Sequence, residues 1–234
     1  MKRRPQKPTK KRSVCRRNPT ATGSSSRKLR NSWTIYNHDA IPNLTSRDFP
    51  AFLFMKFTEK KIDGTSVFSG QLLQVYVDRV QLPGGRISTR EYIRHQGAVV
   101  MIPRLADNRL MLVKQFRYPA GKVMLEFPAG KLDPGEDYRS TAERELMEEI
   151  GYRPGSLRLL GELDPCVGYS DEHMWIVLAE DLQPEKQAGD DDELIETVPL
   201  DIQAVFQHIW DGHITDSKSL ACALWLAHLD HIQL

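Results

Sequence analysis

Cysteine is scarce: three residues in 234, Cys15, Cys166 and Cys222, scattered and without CxxC spacing. That argues against a disulfide framework and against a zinc site built on thiolates, leaving buried or idle thiols as the expectation. No apolar run approaches the roughly 18 to 20 residues that span a bilayer, and the N-terminus lacks the apolar stretch of a secretory signal. A cytoplasmic protein with no membrane attachment is therefore expected. The seven histidines form no ligand constellation, and His228 and His231 are expected to face solvent. Acid is missing altogether from the first thirty residues, which hold twelve Lys and Arg, while the rest of the chain has 20 basic residues against 31 acidic ones. The net charge of +1 conceals an acidic body behind a basic tail.

Residues 1 to 32, rich in Lys, Arg, Ser, Thr and Pro and nearly free of large apolar side chains, cannot bury enough surface to offset the entropy of ordering, so disorder is expected there. Besides a passive extension, such a tail suits an arm making weak, non-specific nucleic-acid contacts, an organellar transit peptide, or a segment upstream of the true start. Met55, just ahead of the first strand-like run, agrees with the last, and residues 1–54 are set apart as a basic extension. From Phe57 short β-rich runs alternate with turn signals at Gly64 and Pro83–Gly85. Residues 55–95 should form a small antiparallel sheet, too small to stand alone, that packs on the main domain or on a second subunit. Residues 96–234 hold the remaining strand candidates, "GAVVMIP" and "LMLVKQFRY" about a turn at 106–108, then "VMLEFPAG", "LRLLGEL", "MWIVLAEDL" and "IETVPL". An acidic loop at 189–193 and helices near 201–210 and 216–231 complete the pattern, and no internal repeat is present.

The densest charge lies in "GKLDPGEDYRSTAERELMEEIGY", Gly130 to Tyr152, with five glutamates and two aspartates. Tyr138 to Ile150 has helix-forming composition, Gly151 can end the helix, and Ala142, Leu146 and Ile150 recur at four-residue spacing as one buried stripe. Glu145, Glu148 and Glu149 then fall within an arc of about 100° bordering that stripe, near a helix C-terminus that disfavours anions. Like charges so close repel. A divalent cation resolves both penalties, and oxygen donors without imidazole or thiolate suit Mg²⁺, or Mn²⁺, better than zinc.

The spacing sharpens this reading. Gly130, five residues, Glu136, seven residues and "RELMEEIGY" satisfy GX5EX7REUXEEXGU, where U is apolar, at every fixed position. On these residues the chain resembles the Nudix hydrolases, which cleave a nucleoside diphosphate linked to another group. The resemblance implies an α/β/α sandwich preceded by the small N-terminal sheet. It makes Glu145 and Glu149 direct metal ligands, Glu148 a third or water-mediated one, and the Ala129 carbonyl the completing donor. Glu136 and Arg144 either orient the helix through a salt bridge or contact substrate.

Most of residues 57–234 is similar to the ADP-ribose pyrophosphatase group, through "HQGAVVMIP", "VKQFRYPAG", "LEFPAGKLDPGED", "PCVGYSDE" and "ITDSKS". The resemblance makes Glu172 in "GYSDE" the carboxylate that activates the attacking water. It also places Arg90 and Arg117 where the group contacts the diphosphate or adenine, a role suited to a guanidinium fork. Cys166, beside Pro165, is expected to be structural. The implied activity is Mg²⁺-dependent hydrolysis of ADP-ribose to AMP and ribose 5-phosphate by a homodimer whose N-terminal strands complete the partner's site. GDP-mannose, NADH or a dinucleoside polyphosphate is the alternative substrate, and a non-catalytic nucleotide sensor the alternative class.

Overall fold

The computed structural model describes residues 57–189 and 194–233, so the basic tail, Met55 and most of the acidic loop at 189–193 lie outside the described residues. Strand β4 (Ala98–Pro103) is buried at every position, as the unbroken run AVVMIP requires of a strand covered on both faces. It pairs in parallel with β10 (Met174–Glu180) and antiparallel with β7 (Ala129–Lys131), while β9 (Ser156–Leu163) lies antiparallel along the far side of β10. A second sheet sets β5 (Leu110–Arg117) between β12 (Ile195–Leu200) and β6 (Lys122–Glu126), both antiparallel to it, and the two-residue strands β8 (Tyr152–Arg153) and β11 (Gln183–Pro184) pair antiparallel with each other.

Strand alternation sorts the core into two layers. Val100 and Ile102 of β4, Leu110 and Leu112 of β5 and Ile176 and Leu178 of β10 pack with Val205 of α2 (Ile202–Trp210) and Cys222 and Leu226 of α3 (Ser217–Leu229). On the opposite face Val99, Met101, Val113 and Val177 pack with Ala142, Leu146 and Ile150. The predicted stripe is thus the inner face of the acidic helix, and the layers make the expected α/β/α sandwich. Cys222 is fully buried, and burial pushes its thiol pKa well up. His228 and His231 are both exposed.

Helix α1 (Tyr138–Glu145) starts with a capping box: Asp137 accepts from the Arg139 and Ser140 amides, and the Ser140 hydroxyl accepts from the Asp137 amide. The uninterrupted α-helix expected to run on to Ile150 is not what forms. Leu146–Ile150 widen into a π-helical turn, closed by Gly151 at φ 74°. The cause is a change of partners: the Gly151 amide reaches back to the Leu146 carbonyl, while the Met147 carbonyl accepts from the Gln187 amide at 3.1 Å. Such turns occur frequently at functional sites, and this one carries Glu148 and Glu149.

Ahead of the core, β1 (Lys60–Ser69), β2 (Gln74–Gln81) and β3 (Ile87–Arg94) form the expected antiparallel sheet in sequence order. Strand β1 is exposed along its whole length. Strand β3 ties the sheet to the loop 166–172. The Ile93 amide donates to the Tyr169 carbonyl at 2.8 Å, the Asp171 amide to the Ile93 carbonyl at 3.2 Å, and the His95 amide to the Asp171 carboxylate at 2.7 Å.

Candidate catalytic cleft

Three parts of the chain meet beside the π-turn. Strand β7 brings Ala129 and Gly130 against β4, through the pairs Val100–Ala129 and Val99–Gly130. Gly130 is needed for space: a Cβ there would lie 1.9 Å from the Glu145 carboxylate carbon. The loop held by β3 supplies Glu172, and the end of β5 supplies Arg117.

Arg144 organises the acids. It donates to both oxygens of Glu136 at 3.0 Å, to Glu145 at 2.8 Å, to Glu148 at 3.0 Å and to the Lys131 carbonyl at 3.1 Å. The Thr141 hydroxyl adds a 2.8 Å bond to Glu136. The guanidinium first, then Thr141 and the Asp133 amide, hold the Glu136 pKa down to about 2 against the opposing effect of burial. Arg144 is raised in turn, first through Glu136 and then through Glu145 and Glu148. Of the two roles open to Glu136 and Arg144, this geometry supports orientation of the acidic helix.

Glu145, Glu148, Glu149, Glu172, Ala129 and Arg117 all line one cleft of about 960 Å³. Six of the seven expected site residues are therefore together. Arg90 is not brought there within its own chain: on β3 it pairs with Glu59 and donates to the Thr89 carbonyl at 2.8 Å. Cys166, expected to be structural, also lines the cleft, and its sulfur accepts from the Tyr169 hydroxyl at 3.3 Å.

Among the described residues no three acidic, imidazole or thiolate side chains converge as a ligating cluster, since Glu145 and Glu148 are drawn onto Arg144. The donors still suit a hard divalent cation. Glu145, Glu148 and Glu149 share a cleft wall with the backbone of β7, and Gly130, lacking a side chain, leaves the space that the end of Glu145 occupies. A bound cation would draw Glu145 and Glu148 off Arg144, whose guanidinium keeps its two bonds to Glu136.

Sequence reasoning assigned no role to a charged group deeper in the cleft. Glu126, 2% exposed, takes both Arg117 bonds, at 3.0 and 2.9 Å, and also pairs with Lys218, which reaches Asp216 at 2.9 Å. Burial, the largest single influence on Glu126, pushes its pKa up, but Arg117 and Lys218 outweigh it and the net shift is downward. Glu126 and Lys218 are 92 residues apart, so no spacing could have paired them.

Residues 94–220 match the family pattern described as the NUDIX domain. The chain is 38% identical over 172 residues to the methanol dehydrogenase activator of Bacillus methanolicus, spanning 73% of this chain and 93% of that protein. It is 34% identical over 177 residues to the ADP-ribose pyrophosphatase of Bacillus subtilis, spanning 75% and 96%. The crystal structure of an ADP compounds hydrolase superposes with a TM-score of 0.68 at 25% identity, covering 74% of this chain and 94% of that one. With the acidic helix, its arginine hub and the glutamate loop in one cleft, these matches identify the chain as a member of the Nudix hydrolases, in the ADP-ribose pyrophosphatase-like group.

Proposed function

We propose that this enzyme hydrolyses the diphosphate of a nucleoside diphosphate sugar, with ADP-ribose as substrate and AMP and ribose 5-phosphate as products. The observation that carries the reading is that Glu172, from a loop more than twenty residues beyond the acidic helix, faces the same cleft as Glu145, Glu148 and Glu149. Glu145 and Glu149, with Glu148 and the Ala129 carbonyl, would hold Mg²⁺, or Mn²⁺. When bound, such an ion would supply charge neutralisation for the diphosphate and acidity for the attacking water. Glu172 accepts that water's proton. The new oxygen–phosphorus bond forms in line as the bridging bond on the other side breaks, and the second phosphate leaves with the bonding pair. Arg117 holds phosphate oxygens meanwhile.

A homodimer belongs to this proposal. Strand β1 is fully exposed, and Val67 and Phe68 on it present apolar surface that a second copy would cover. Arg90, on β3 at the other edge of the same sheet, would then serve the partner's cleft. The cytoplasm suits the reading, and among the described residues no helix is long and apolar enough to cross a membrane.

The test is product identification from a panel of ADP-ribose, GDP-mannose, NADH and a dinucleoside polyphosphate with Mg²⁺. ADP-ribose should give the highest kcat/KM, with AMP and ribose 5-phosphate in equal amounts. A higher kcat/KM on another member would replace ADP-ribose as the substrate.

A further inference from the structure

The segment ITDSKS, Ile214 to Ser219, has no part in the chemistry described so far, yet the fold fastens it to the cleft wall at two points and closes it with a cap of its own. The Ser219 hydroxyl, fully buried, accepts from the Phe127 amide at 2.9 Å. Asp216 caps α3 by accepting from the Ser219 amide at 3.0 Å. Lys218 spans the gap to Glu126, the residue before Phe127. The Arg117 fork already gives Glu126 two bonds. Lys218 is a second cation on the same buried carboxylate, and holding it there carries a desolvation cost of its own. An ammonium has three N–H donors, and Glu126 and Asp216 account for two of those on Lys218, which lines the cleft.

We propose that Lys218 is a substrate-contacting residue that, with Arg117, grips an anionic oxygen of the substrate diphosphate, and that buried Glu126 is the positioning residue for both cations. The inference rests on the diphosphate-hydrolase reading. Glu126 and Asp216 balance the two cations in the resting protein, so both side chains are held in place before substrate arrives. Less rotamer freedom is then lost on binding.

The test compares wild-type protein with Lys218→Met, which leaves Glu126 paired with Arg117, and with Lys218→Arg. Three quantities are read: KM and kcat on ADP-ribose with Mg²⁺, the Kd of inorganic pyrophosphate by calorimetry, and Mn²⁺ affinity by electron paramagnetic resonance. Lys218→Met should raise KM and the pyrophosphate Kd by about tenfold or more, the effect expected of one lost charge-assisted bond. Mn²⁺ affinity should stay within about twofold, and Lys218→Arg should recover most of the pyrophosphate binding. Unchanged KM and Kd in a folded Lys218→Met protein would overturn the proposal, as would equal loss in Lys218→Arg. If wild-type protein binds pyrophosphate but does not turn over ADP-ribose, the substrate assignment fails, and the calorimetric comparison still decides the role of Lys218.

Discussion

Glu149 and Glu172 line the same cleft and are distinguished by what each would lose on becoming an amide. Glu149→Gln removes an anionic ligand at constant volume, so hydrolysis should fall by at least about a hundredfold in saturating Mg²⁺ while the circular dichroism spectrum is unchanged. Near-normal turnover would remove Glu149 from the ligand set. Glu172→Gln should lower kcat by about 10²- to 10⁴-fold with Mn²⁺ affinity retained, the signature of a proton acceptor. A collapse of metal binding there would make Glu172 a ligand instead. Glu136 carries a pH prediction. Its folded pKa of about 2 lies below the ordinary 4.5, so its stabilisation is complete above 4.5 and is lost as pH falls through 2. The gap in urea midpoint between wild type and Glu136→Gln should therefore be widest at pH 6 and shrink steadily toward pH 2. A constant gap over that range would mean that the Arg144 pair contributes nothing through ionisation.

At the scale of elements, the acidic helix was the most legible part of the chain. Ala142, Leu146 and Ile150 announced its buried face by spacing alone, and all three pack where that spacing puts them. The π-turn was not legible, because it depends on the Met147 carbonyl bonding Gln187, forty residues on. The cationic wall was hidden for the same reason: Glu126 ends a strand that reads as apolar, and the partner that explains it is on α3. Spacing within an element can be read directly, whereas contacts made by closing long loops cannot. One prediction belongs to the junction of β7 and α1. Gly130→Ala puts a methyl group into space now held by the end of the Glu145 side chain, which is flexible and can swing aside. Stability should change little, yet turnover should drop at least about tenfold, because a ligand displaced by an ångström is costly in rate. A variant with full activity would show that Glu145 need not occupy this position.

For the whole molecule, every residue given a role lies downstream of Met55. A protein shortened to begin there should keep full ADP-ribose kcat/KM and the solution mass of a dimer. Abolished activity, or a monomer, would make residues 1–54 part of the working enzyme. The full-length chain should also bind polyanions in a salt-sensitive way, through its twelve N-terminal cations. The order of the sheets was only partly open to sequence reasoning. The antiparallel N-terminal sheet follows from neighbouring runs and turns, whereas the parallel pairing of β4 with β10 joins residues 98–103 to 174–179.

That parallel pair has a consequence for the order of assembly. Residues 104–173, which carry Arg117, the acidic helix and Glu172, form a loop between two adjacent central strands. Closing such a loop must precede the contacts that reward it, and pairings of this separation form late and slowly. A growing chain that has emerged only as far as the acidic helix therefore holds all three clustered glutamates and no enzyme. In refolding, the return of hydrolysis should trail the return of helical signal.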